Sequence, residues 1–216
     1  MKLFGATLSP YVRKTAAFLN EKMLNWEHVV IGLGSDDPDF LSASPLKKIP
    51  ALIDGDYKLS DSTAICIYLD AKYPDTRMIP DDAEARGRVM FWDEFADTVF
   101  TAAGGKIFFN RVVAPKLMKQ KGDEAAAKLG ETEMAPLLDY MESQIPDAGA
   151  FLVGDSITLA DIALASPFAN IGHAGSPVSD RHPRTKAWVE SIHARDSFAG
   201  MIAAERKLLS GDYGAV

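Results

Sequence analysis

Apolar residues near the start of the chain first cluster and then take a helical period. "KLFGAT" reads as a short strand, and in "YVRKTAAFLNEKML" Val12, Ala16, Leu19 and Met23 fall on one helical face. "WEHVVIGL" is rich in β-branched residues and predicts a strand, whereas "DPDFLSASP" is irregular or weakly helical. "KIPALIDGDYKLS" predicts two short strands around Asp54-Gly55, a hairpin signal. "DSTAICIYLDAKY" then predicts a helix with an Asp/Ser start that ends before Pro74.

A composition break follows. "PDTRMIPDDAEA" is short, polar and proline-flanked, which suits a linker between domains. Beyond it the helical period takes over. "EARGRVMFWDEFADTVFTAAGGKIFFNRVVAPKLM" is long and amphipathic, with a weak point at Gly104-Gly105 and a break near Pro115. "DEAAAKLGETEMAPLLDYMESQI" is a second long helix or a pair, and further helices start near Leu159, Arg184 and Ser197. Thr158 reads as an N-cap answered by Asp161, with Ile157 and Ile162 placed as a hydrophobic staple. The order β-α-β then β-β-α is that of a thioredoxin-type unit. The expected fold is therefore an α/β thioredoxin-like N-terminal domain over residues 1–77, a linker over 78–83, and an all-α C-terminal domain over 84–216.

Charge and cysteine content narrow the function. A formal net charge of −7 disfavours phosphate backbones, and the densest basic stretch, "APKLMKQKG", is broken by apolar residues, so no nucleic-acid partner is expected. No apolar run approaches the ~20 residues that span a bilayer, so no membrane partner is expected. The single cysteine, Cys66, suits a reducing compartment, and its place on an apolar helical face suits a packed small hydrophobe. With no signal-peptide pattern at the start, the expected location is the cytoplasm. His28, His173, His182 and His193 show no metal-ligand spacing, and no metal is expected.

Six features fall in one order: "SPYVRK" after the first strand, "SPLKKIPAL", "LSDSTAICIYL", the proline-flanked linker, the helical second half and the "TLAD" cap. In this the chain resembles the cytosolic glutathione S-transferase family, in its serine-type, bacterial-like form, over nearly its whole length. The resemblance implies an enzyme of detoxification chemistry with glutathione as co-substrate, usually a homodimer. It would activate the glutathione thiol as thiolate for attack on an electrophilic, largely apolar substrate. Substitution, conjugate addition, isomerisation, dehalogenation and ether cleavage are the reactions it admits.

By resemblance, Ser9 is the thiol-activating hydroxyl. The chemistry suits it, because a hydrogen bond to a charged group contributes about 1.5–3 kcal/mol, or one to two units of thiol pKa. On local sequence alone Ser9-Pro10 also reads as a plain N-cap and first helical position, and Thr7 is a nearby alternative donor. The resemblance further implies that Ile49-Pro50 is cis and that Ile49 pairs its backbone with the cysteinyl unit of glutathione. Asp61 and Ser62 open a helix whose N-terminus would take the γ-glutamyl group. Lys48, and less directly Lys47, would neutralise the glycyl carboxylate. For the second substrate, Tyr11, Phe95, Phe100 and Phe168 are the candidates. Two other readings share this fold. A thiol-transfer enzyme would need cysteine where Ser9 and Val12 stand, and a non-catalytic binding or stress-response module would need no activating hydroxyl at all.

Overall fold

The computed structural model describes residues 1–32, 34–146 and 150–211. A four-stranded sheet in the order β2-β1-β3-β4 comes from Lys2–Phe4 (β1), Glu27–Val29 (β2), Ala51–Asp54 (β3) and Tyr57–Ser60 (β4). β1 runs parallel to β2 and antiparallel to β3, and β3 and β4 form the expected hairpin. Its two-residue turn is Gly55-Asp56, one position later than expected, with Gly55 at φ 61° supplying the left-handed backbone. Helices α1 (Pro10–Glu21) and α3 (Ser62–Lys72) pack against one another beside the sheet. α2 (Pro38–Ala43), irregular in the sequence reading, is a short helix capped by the Asp37 side chain. It closes a small second core of Phe4, Ile31, Phe40, Ala43 and Ala51.

The second half is helical: α4 (Ala83–Glu94), α5 (Thr101–Phe108), α6 (Glu124–Gln144), α7 (Leu159–His173), α8 (Pro183–His193) and α9 (Asp196–Ser210). The expected weak point at Gly104-Gly105 is not one. α5 runs through it, because Gly104 is where Met134 and Ile171 come close: a Cβ there would stand 3.1 and 3.2 Å from them. The irregularity lies instead in two π-helical stretches, Phe95–Phe100 and Phe109–Leu117, and the second carries helical structure through Pro115. Such stretches shift the side-chain register within a helix and often accompany functional sites.

α7 is buried from Leu159 through Ile171 and contacts α1, α4, α5 and α8, so it is the central helix of the molecule. The expected cap is present, with the Thr158 N–H donating to Asp161 at 2.9 Å. On α1, Val12, Ala16 and Leu19 are fully buried as expected. Met23 is not on that face. The helix ends at Glu21, Met23 takes φ 54°, and its side chain is 84% exposed.

Candidate active site

Gly5 closes β1 at φ +133°, and a Cβ there would stand 2.5 Å from Val12 and 3.1 Å from Ile49. Glycine thus lets the β1–α1 loop lie against the Ile49-Pro50 peptide, which is cis. Ser44 clips the next stretch in place: its hydroxyl donates to the Lys48 carbonyl at 2.7 Å and accepts from the Lys48 N–H at 2.9 Å. At the far end of the hairpin, Asp61 caps α3 by accepting the Ala64 N–H at 2.9 Å. Its φ of 85° is costly for a residue with a Cβ, about 1–3 kcal/mol, and strain of this kind collects at functional sites.

These segments converge on one cleft of about 690 Å3. Lys48, Ile49, Pro50, Asp61, Ser62 and Tyr11 all line it, together with Glu94, Asp97 and Thr98 from the helical half. Lys48 is exposed and has no carboxylate partner among the described residues, whereas Lys47 is tied to Asp36 at 2.9 Å. The N-terminus of α3 faces the same space, where first N–H groups and a positive dipole end suit an anion.

Asp97 escaped the sequence reading. It sits in the first π-helical stretch, and its backbone carbonyl accepts the Tyr11 hydroxyl at 3.0 Å. Its carboxylate meets the Ser62 hydroxyl at 3.4 Å and Lys14 at 2.5 Å. Lys14 is fully buried and also bonds Asp93 at 2.8 Å and Thr63 at 3.1 Å, so one ammonium serves two carboxylates. Burial would lower the Lys14 pKa, but the two carboxylates outweigh it and hold it above the ordinary lysine range. Burial, with help from Asp93, pushes the Asp97 carboxyl up despite Lys14. The cluster is one positive charge short and opens onto the cleft through Asp97. The signal was present as carboxylates at i and i+4, Asp93 and Asp97, but their partner Lys14 is distant in sequence.

Ser9 is the N-cap of α1, half-buried, and its hydroxyl makes no capping bond. It stands two residues before Tyr11 and is not itself among the residues lining the cleft. Thr7 is turned elsewhere, into a separate hollow that it lines with Glu205. The aromatic candidates other than Tyr11 are also elsewhere. Phe95 packs on Phe91, Trp92 and Tyr140. Phe100 and Phe168 pack on each other with ring centres 4.6 Å apart, and Phe168 borders a separate cavity of about 250 Å3 between α7, α8 and α9. They belong to the core because the aromatic spacing of these helices is the spacing of their buried faces. Cys66 is fully buried, and burial pushes its thiol pKa up.

Known proteins carry the same two-part pattern. Residues 3–77 match the family model for the glutathione S-transferase N-terminal domain, and residues 95–196 match that for the C-terminal domain. Glutathione S-transferase 3 of Zea mays is 34% identical, over 94% of each chain.

The chain belongs to the glutathione S-transferase family.

Solved structures of other glutathione S-transferases superpose on it along nearly the full length. One from Rhodospirillum rubrum is 28% identical with a TM-score of 0.82, covering 93% of this chain and 90% of its own. Glutathione S-transferase-I, solved bound with the ligand lactoylglutathione, is 28% identical with a TM-score of 0.82, covering 94% of this chain and 98% of its own. The fold is that of the glutathione S-transferases, a thioredoxin-like sheet unit followed by a helical unit.

Proposed function

We propose that this chain is a serine-type glutathione transferase that binds glutathione in the cleft between Lys48 and Asp97 and activates its thiol with Ser9. The observation that carries the reading is that Lys48, Ile49, Pro50, Asp61 and Ser62, separate in sequence, line one cleft. Glutathione lies extended, its cysteinyl unit pairing with the Ile49 backbone as a short added strand. The γ-glutamyl carboxylate meets Ser62 and the N-terminus of α3. The γ-glutamyl ammonium lies between Asp61 and Asp97, one positive charge shared by the two carboxylates. Lys48 balances the glycyl carboxylate. The Ser9 hydroxyl donates to the sulfur and favours loss of the thiol proton to solvent. The sulfur lone pair then forms a bond to an electrophilic carbon. A leaving group departs with its electron pair or, in conjugate addition, the adducted carbanion takes a proton. Tyr11 is the one aromatic candidate at the cleft and is the place for the second substrate.

The test is calorimetry with glutathione and a conjugation assay with an activated aryl halide, in wild type and Asp97→Asn. Wild type is expected to bind and conjugate. Asp97→Asn is expected to raise KM for glutathione about tenfold or more, the loss of one hydrogen bond to a charged group, with a smaller change in kcat. Absence of wild-type binding at millimolar glutathione would sink the reading. Binding with an unshifted thiol pKa would instead point to a non-catalytic module.

We also propose a homodimer. Leu46 is 82% exposed between α2 and β3, and it shares the rim of the cleft with exposed Ile67 beside Glu94 and Thr98. Phe91 and Val99, on the same helical stretch, are exposed too, and an apolar run of this kind rimmed by polar groups marks a protein interface. Sedimentation is expected to give twice the 23.4 kDa chain mass, and Leu46→Glu to give the single chain. A monomeric wild type at micromolar concentration would refute it. The division at residues 78–83 and a cytoplasmic, detoxifying role belong to the same proposal. Supporting them are the family models, which end at 77 and resume at 95, and the single buried cysteine. The bacterial-like form draws support from the Rhodospirillum rubrum structure, although the Zea mays relative is the more similar in sequence.

A further inference from the structure

We propose that Asn170, on α7 of the helical unit, is a positioning residue that sets the Ser9 hydroxyl for the thiol, an inference that rests on the glutathione reading above. The backbone of Ser9 is already committed. Its N–H donates to the Ala6 carbonyl at 3.0 Å, and its carbonyl accepts the Arg13 N–H at 3.0 Å. With no capping bond, the hydroxyl is the free group of the residue. Where it points depends on how the loop before it is held.

That loop is held from the other unit. The carbonyl of Leu8, one residue before Ser9, accepts the Asn170 Nδ2–H at 2.7 Å in a buried setting. The amide of Asn170 cannot turn over. Its Oδ1 accepts from Arg13 at 2.6 Å, and a guanidinium only donates, so the NH2 must face Leu8. Arg13 is itself immobilised. It donates to both carboxylate oxygens of Glu205, at 3.1 and 2.6 Å, and to the Ser166 carbonyl at 2.6 Å. Glu205 also takes His173 at 2.8 Å and lies beside Thr7, two residues before Ser9. α7 thus grips the loop at the residue ahead of Ser9, and α9 holds Arg13, which fixes Asn170, while Gly5 and the Ile49-Pro50 peptide fix the loop from the sheet side. A hydrogen bond to a thiolate weakens steeply with distance and angle, and small misplacements of a catalytic group are costly. Releasing Leu8 therefore changes the thiol and not merely the fold.

Asn170→Asp tests this, because it keeps the acceptor that Arg13 uses and removes the donor that Leu8 needs. Thiolate absorbance across pH gives the thiol pKa of bound glutathione, and calorimetry gives its Kd. The expected result is a folded variant that binds glutathione within about threefold of wild type, with the bound thiol pKa raised by about half a unit or more. Conjugation near neutrality should fall about threefold or more and recover at a pH where the thiol is fully ionised. Should Asn170→Asp fail to fold, Asn170→Ser, neutral and too short to reach Leu8, carries the same expectation. A folded variant whose bound glutathione keeps the wild-type thiol pKa overturns the inference while the functional reading stands. A wild type that does not lower the thiol pKa overturns both.

Discussion

Replacing Ser9 by alanine is expected to lower turnover with glutathione about eight- to twenty-fivefold at neutral pH while leaving the fold intact. One hydrogen bond to a charged sulfur contributes about 1.5–3 kcal/mol, and that is one to two units of thiol pKa. A free thiol ionises near ~8.5, so without the donor only a few per cent is thiolate at neutrality. The sign then fixes the pH profile. The wild-type rate should reach its plateau one to two units earlier, and the variant should approach it as pH rises through the free-thiol range. Stability should hardly move. The hydroxyl makes no capping bond, so the ~1 kcal/mol that a working N-cap contributes is not there to lose. Stopped-flow rates and the thiolate absorbance of bound glutathione read both effects. If Ser9→Ala keeps the wild-type thiol pKa, another donor activates the sulfur and Ser9 is only the first residue of the turn.

The parts of this fold that sequence exposed are those whose physics is local. Val12, Ala16 and Leu19 sit at helical spacing and are buried together; the Thr158 cap and its Asp161 partner are three residues apart and bonded. Lys48 to Pro50 and Asp61 to Ser62 were legible as short motifs, each framed by its own strand or helix start. What stayed hidden is non-local. Asp97 gains its meaning from Lys14, 83 residues earlier, and from a π-helical stretch that no simple period announces. Asn170 and Glu205 act on a loop more than 150 residues away. Spacing also misled where burial and function use the same residue types. Phe100 and Phe168 have the profile of pocket aromatics, yet they fill the core around α7.

Arg13→Met is expected to destabilise the protein by about 3–5 kcal/mol, because it breaks a buried ion pair from one side only. Arg13 is fully buried, and the side chain of Glu205 is 2% exposed. Methionine fills much of the same volume but leaves Glu205 with His173 alone, strips the Asn170 Oδ1 of its donor and removes a second donor from the Ser166 carbonyl. Whole domains are stable by only about 5–15 kcal/mol, so such a loss is a large share of the total. At about 2–4 °C per kcal/mol for a chain of this size, the melting temperature should drop by about 6–20 °C. The pH dependence follows from Glu205. Burial alone would raise its carboxyl, but the bonds from His173 and Arg13 outweigh it and hold it below the ordinary range. Its contribution is therefore fully present above the unfolded value near ~4.3 and is lost as pH falls through the depressed folded value. In Arg13→Met that acid-dependent share should shrink. A second variant separates the uncovered charge from the lost packing. Arg13→Met with Glu205→Leu replaces both partners by apolar side chains and should recover most of the loss, since a buried pair contributes little net stability over a well-packed apolar substitute. Urea denaturation of the three proteins decides it. A loss below about 1 kcal/mol for Arg13→Met, or a double variant no more stable than the single one, would show that the pair is not what joins α1 to α7 and α9.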